Sequence, residues 1–248
     1  MAHFYKKTSE GVRLLKTVDT PAKARKSPGA LASVTTILSY MLNQFMKIWR
    51  EGKIAELARE HWDVDVSKLG DLAWGQCTMP DGSTVSSSEF GTAVHAQLEA
   101  ATQALMDGAD YRNEEWMGYY RPFLRWLAKE DITPTHAELM LACEERRIAG
   151  TLDGIGTKAE RVILWDFKCR SGDNVATKTS PKDTMQLAIE AQMIREQYTL
   201  AYIPRIYTIV IDAETGECHP KLWTEKAQAK AYEKFEILRT FVQAWEKL

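Results

Sequence analysis

The chain has 248 residues, 45% apolar and 27% charged, with 14 Gly, 8 Pro and a formal net charge of −2. That size and balance fit one large or two small globular domains and exclude a collagen-like or wholly disordered chain. No apolar run approaches the ~18 residues of a membrane span, and the opening MAHFYKKTSE lacks the apolar stretch of a secretory leader. A cytoplasmic protein with no membrane partner is expected. Cys77, Cys143, Cys169 and Cys218 are far apart with no C-x-x-C pair, which disfavours a metal site built on cysteines and fits a reducing compartment. Charge is uneven: residues 1–60 hold eleven Lys/Arg against five Asp/Glu, and the remainder 21 against 29. A basic front beside an acidic body fits a polyanion partner beside a metal-binding site; a solvated basic tail explains the charge as well.

Residues 1–33 read as irregular, with an exposed loop at Thr20–Ala30, rich in Pro and basic residues. A helix is predicted from about Thr36, with Ile37, Met41, Phe45, Ile48 and Trp49 on one stripe. Gly52 breaks it before a second short helix ending near His61, and residues 62–85 read as a loop with a turn at Asp81-Gly82. Ser86 and Glu89 form a capping box for a helix with Phe90, Val94, Leu98, Ala101 and Leu105 inward. The next helix, Asn113–Lys129, packs Trp116, Tyr119, Tyr120, Phe123 and Leu127. After Thr133-Pro134 the period changes, and Ala137–Glu144, Arg147–Thr157 and Arg161–Lys168 read as a three-strand meander. Arg146-Arg147 fit a solvated hairpin turn. Ser180, Pro181 and Asp183 start a helix to about Tyr198. Strands at Tyr202–Ile211 and His219–Trp223 follow, and Thr224 caps a final helix. This order predicts an α/β fold, a central mixed sheet flanked by helices. Residues 34–248 then form one domain: a helical part 34–130, a sheet core 135–223 and a C-terminal helix 224–248.

The chemistry concentrates in two strands. Asp153 lies within Gly150-Thr151-Leu152-Asp153-Gly154, where small residues let a ligand or backbone come close. Asp166 ends an apolar strand, and Lys168, two residues on, shares its face while Phe167 points the other way. A carboxylate there must be solvated, paired or metal-bound. Two acids on adjacent strands can hold Mg²⁺ or Mn²⁺, and a lysine beside them can hold a water or offset phosphate charge. His95 lies at the edge of its helix stripe, with Glu99 one turn on. Glu99 could orient the imidazole, add a ligand or simply join a helix salt network.

Asp153…Asp166-Phe167-Lys168 resembles the D…(D/E)-x-K signature of the PD-(D/E)XK nuclease superfamily. Gly91-Thr92-Ala93-Val94-His95, Gly150-Thr151-Leu152-Asp153 and Gln186 in Met185-Gln186-Leu187-Ala188 are similar to its RecB-like branch. Ser33-Val34-Thr35-Thr36-Ile37-Leu38 followed by Trp49 is similar to phage exonucleases and the mitochondrial genome maintenance exonuclease group. The resemblance spans about residues 33–200 and implies a restriction-endonuclease-like core with an N-terminal helical layer. It implies that His95, Asp153, Asp166 and the Phe167 carbonyl bind Mg²⁺ or Mn²⁺, with Glu138 as an outer ligand. Lys168 would orient or activate water, and Gln186 would position substrate or Lys168. Arg170, Lys178 and Lys182 could contact phosphates, or form an exposed loop. Two departures matter. Glu190 stands where relatives often have Tyr, and the cysteine set of iron–sulfur relatives is missing, so no cluster is expected. The implied function is a metal-dependent DNA exonuclease acting on single-stranded ends in phage-type recombination, repair or replication, alongside proteins of those processes and in the host cytoplasm if phage-encoded. A structure-specific or restriction-like endonuclease, or a catalytically silent DNA-binding protein of the same fold, are the alternatives.

Overall fold

The structure, a computed structural model, describes residues 2–40, 55, 56, 59 and 75–246. Among these, β1 (Phe4–Thr8), β2 (Gly11–Leu14), β3 (Leu31–Ser33), β6 (Thr133–Cys143), β7 (Ile148–Lys158), β8 (Arg161–Arg170), β9 (Arg205–Asp212) and β10 (Cys218–Leu222) form one mixed sheet. Its order is β10–β9–β8–β7–β3–β1–β2, with β6 also on β7. The β3–β7 and β8–β9 ladders are parallel and the others antiparallel. A separate hairpin, β4 (Gln76–Thr78) and β5 (Thr84–Ser86), leads into α2 (Ser87–Met106).

Alternation along β8 sorts the layers. Ile163, Trp165 and Phe167 pack on one face against α2 and α3 (Met117–Lys129), with Phe90, Val94, Tyr120 and Phe123. Leu164 faces the other way, into a core shared with α4 (Pro181–Gln197) and α5 (Glu225–Glu246). The result is a helix–sheet–helix sandwich, with the chemistry-bearing strand central and covered on both faces. Among the described residues no helix is long and apolar enough to cross a membrane.

The meander, the Ser86/Glu89 box and the Ser180 cap fall where expected, and α4 has Pro181 at its start and a capping box through Asp183. Of the α2 stripe, Leu105 is exposed while the other four residues are buried. The α3 segment begins with a 3₁₀ turn at Glu114–Trp116.

Residues 1–33 depart most from expectation, since they carry three strands of the main sheet and a short helix, α1 (Pro21–Arg25), inside the expected loop. Phe4 and Leu31 are buried while Lys6 and Lys7 are not. Strands this short carry too few residues to show a period, and their partners are distant. The helix expected from Thr36 starts at residue 34, where Ser33 Oγ accepts from Thr36 N at 2.9 Å. Its stripe at Met41, Phe45, Ile48 and Trp49 lies outside the described residues, as do His61 and residues 62–74. Residues 76–86 form the β4–β5 hairpin rather than a loop; Asp81 Oδ1 accepts from Ser83 N at its turn. Finally, β6 runs through Pro134. A register shift between Pro134 and His136 and a place beside β7 alone, among the described residues, make the missing N–H tolerable.

Candidate active site

The site grows from a fork in the sheet. Along one edge β7 pairs with β6 over almost its whole length. Along the other it pairs with β3 at Ile148 and Ala149 and with β8 from Gly154 to Lys158. Residues 150–153 therefore have no ladder partner on that edge among the described residues, while β8 runs on beside β9. Asp153 stands in the fork, and its Oδ2 accepts from Phe167 N at 2.7 Å, replacing the lost ladder bond. Opposite Asp153, Glu138 of β6 has a left-handed backbone (φ 54°), and the β6–β7 register skips this pair.

The glycines here serve packing. A Cβ at Gly154 would lie 2.2 Å from the buried Trp165 ring, and one at Gly150 would lie 3.2 Å from Glu190 Oε1. The room expected for a ligand is taken by these side chains.

Two helices close the fork. From α2, His95 Nδ1 lies 3.5 Å from Asp153 Oδ2, and its ring meets Phe167 edge-on. From α4, Gln186 Nε2 donates to Asp166 Oδ1 at 2.9 Å. Lys168 Nζ ion-pairs with Asp166 Oδ2 and donates to Phe167 O at 3.2 Å. The two acids are thus approached from different helical layers, Asp153 by α2 and Asp166 by α4, at the point where their strands part. His95, Glu99, Glu138, Asp153 and Phe167 line a cavity of about 90 Å³. A groove of about 370 Å³ runs from Ser87, Ser88 and Thr92 past His95 to Lys168 and Arg170.

Negative charge dominates the electrostatics. Burial and the neighbouring Asp166 carboxylate push Asp153 up to about 8. Burial also raises Glu99, helped by Glu138, with which it shares a hydrogen bond. Burial lowers His95, against the pull of Asp166, so the neutral imidazole is favoured. Burial lowers the pKa of Lys168, but Asp166 and Asp153 outweigh it and hold it above the ordinary value. Lys168 is therefore an ammonium.

Glu190 is the residue that sequence reasoning named only as a departure and gave no role. It is 1% exposed, one turn beyond Gln186, and its Oε2 has no hydrogen-bond partner. Burial, with Asp166 and Asp153 nearby, raises its pKa well above the usual carboxylate range. The Gln186/Glu190 spacing of one helical turn was the available signal.

The basic trio divides. Arg170 Nη2 lies 3.6 Å from Asp183 Oδ2 at the start of α4. Lys182 is lowered by burial and by Lys168, which places its charge near the fork. Lys178 turns back to Ser171 O at 2.5 Å, within its own loop.

Hard oxygen donors with one neutral imidazole suit a divalent cation of the Mg²⁺/Mn²⁺ type. The Lys168 ammonium already touches Asp166 Oδ2 and Phe167 O, so those two oxygens are aimed at a cation. Among the described residues no three His, Cys, Asp or Glu side chains are gathered closely enough to form a ready metal cage.

No family model matches the chain, and no curated protein matches it. Among solved structures it is similar to a proposed exonuclease from Eubacterium rectale, at 8% identity and a TM-score of 0.44, over 64% of this chain and 68% of that one. It is also similar to the protein SSO0001, at 12% identity and a TM-score of 0.28, over 79% and 86%. Likenesses this weak carry no argument, and the reading of the site rests on its own geometry.

Proposed function

We propose that the protein is a metal-dependent nuclease that hydrolyses phosphodiester bonds in DNA, working from single-stranded ends. The observation that carries this reading is the meeting of His95, Asp153, Asp166, Lys168 and Gln186 at one fork in the sheet. The residues fit Mg²⁺ or Mn²⁺ held by His95, Asp153, Asp166 and the Phe167 carbonyl, with Glu138 beyond them; when bound, such an ion supplies an acidified water and offsets phosphate charge. Gln186 fixes the Asp166 carboxylate through its Oδ1. Lys168, kept charged by the two acids, offsets negative charge that develops on the phosphate and orients the attacking water by donation; it is not the base. His95, favoured as neutral, presents a lone pair rather than a competing charge. Arg170 and Lys182 stand beside the fork, where an incoming phosphate would meet them. The resemblance to the PD-(D/E)XK superfamily extends the proposal to phage-type DNA recombination, repair or replication, carried out in the cytoplasm.

Incubation of end-labelled linear and circular single-stranded DNA with Mg²⁺ or Mn²⁺ tests this. The linear strand should shorten from its ends while the circle stays intact. Asp166→Asn should slow the reaction by at least about a hundredfold. Equal rates for Asp166→Asn and the native protein would overturn the mechanism, and cleavage of circles would replace the exonuclease with an endonuclease.

A further inference from the structure

On the α4 face of the sheet, two strands from Asp166, lies a second groove of about 370 Å³. Thr179 and Ser180 before α4, Lys221 and Trp223 at the end of β10, and Lys230 and Lys234 of α5 line it. No carboxylate is among its lining residues, although the whole chain is net negative. Lys221 is held in place: its Nζ sits 4.1 Å over the Trp223 ring and donates to Thr179 Oγ1 at 2.6 Å. The indole is fixed in turn by Trp223 Nε1 donating to Thr208 Oγ1 at 2.9 Å. Lys230 and Lys234 stand one turn apart on α5, exposed, and neither has an ion-pair partner among the described residues. Like charges at this spacing repel, and an anion between them would relieve that.

The ladder register ties the groove to the fork. Thr208 of β9 is paired with Asp166 on one side and with Lys221 on the other. Paired residues share a face, so Asp166, Thr208 and Lys221 form one row, with Lys221 about 10 Å from Asp166 at ordinary strand spacing. A cluster of carboxylates repels a polyanion, so a nuclease with such a centre needs attraction beside it.

We propose that this groove binds the phosphodiester backbone of single-stranded DNA and anchors the strand while its end lies at the fork. The identity of the occupant rests on the nuclease reading; the cation groove itself does not. Three ammonium groups, of which Lys221 is held in place, form a track for successive phosphates, and the lining hydroxyls of Thr179 and Ser180 can donate to phosphate oxygens.

The test is binding without catalysis. Fluorescence anisotropy of a labelled oligothymidine is followed in EDTA across a salt series. The full chain is compared with Lys221→Gln/Lys230→Gln/Lys234→Gln, with Lys226→Gln, which lies on α5 outside the groove lining, and with Asp166→Asn. The triple variant should weaken binding at least about tenfold at low salt and flatten the log–log salt slope by about two, given ~0.7 per phosphate contact on single strands. Lys226→Gln should leave both essentially unchanged, well short of one contact's worth. An unchanged slope in the triple variant, or a loss equal per charge in Lys226→Gln, overturns the groove, as does a native chain that does not bind the oligonucleotide. Cleavage assays on the same proteins keep the two readings apart. Metal-dependent cleavage by a triple variant that binds normally leaves the nuclease standing without the groove. Groove-dependent binding by a native chain that never cleaves supports the groove and removes the nuclease.

Discussion

The β6–β7 hairpin carries a charge cluster at its turn and another at its middle, and they are built on opposite principles. At the turn, Arg146 is 17% exposed and is matched by acids from both α4 and α5. It ion-pairs with Glu196, lies 3.5 Å from Glu236 Oε1 and meets the Tyr232 hydroxyl, while its own carbonyl accepts from Gln243 Nε2 at 2.7 Å. The hydrogen bonds that the guanidinium donates to Glu196 hold it above its ordinary pKa. At the middle, Asp153, Asp166 and Glu190 stand around the Lys168 ammonium, and one Glu190 oxygen is left without a partner. The first cluster is balanced and ties two helices to a turn. The second gathers more acids than bases, and burial answers by raising the pKa of Asp153 and Glu190 so that their neutral forms are favoured.

Removing the Lys168 ammonium from the unbalanced cluster is the sharpest way to probe this contrast. Lys168→Met should cost about 3 kcal/mol in urea unfolding without metal, because it leaves buried acids unpaired; a loss near zero would mean the acids are already protonated together. Arg146→Met should cost less, about 1–2 kcal/mol, since its partners are partly solvated and can turn to water. Differential scanning with Mg²⁺ should then raise the melting temperature of the native protein and not that of Asp166→Asn, while leaving the Arg146→Met deficit unchanged. Glu190→Gln should be neutral or stabilising by up to about 1 kcal/mol, because the amide keeps the shape and removes a charge that burial disfavours.

The smallest effect concerns pH. Glu196 is depressed by its hydrogen bond to Arg146 and lies below the ordinary 4.5 of a glutamate. A depressed folded pKa contributes stability that is present above the unfolded value and is lost as pH falls through the folded one. Native minus Glu196→Gln stability should therefore be constant from neutral pH down to about 5 and shrink below 4.5. With Glu196 partly exposed, a few tenths of a kcal/mol is expected, and a difference that grew on acidification would reverse the assignment.

Much of this was legible in the residues. The meander, the Ser86 and Ser180 caps and the α3 stripe are local patterns, set by period and by side chains three residues apart. The D…D-x-K order pointed to the fork because motif spacing survives without knowledge of the fold. What escaped was non-local. The strands in residues 1–33 join the sheet because β3 finds β7 and β1 finds β3, and nothing within Phe4-Tyr5 or Leu31-Ala32 announces those partners. Arg146 read as a solvated turn because its acids come from helices far along the chain. Gly150 and Gly154 read as room for a ligand because the side chains that fill the space, Glu190 and Trp165, are separated from them in sequence.

The fork also bears on the order in which the molecule assembles. Its rim on one side is β3, joined to β7 through only Ala32 and Ser33. Such a contact closes a very long loop for little immediate return, so it belongs to the late stages of folding, after the local β6–β8 meander has formed. The strands that carry both acids would then pair with each other before β3 docks. The fork would take its final shape only once residues 31–33 dock beside Ile148 and Ala149.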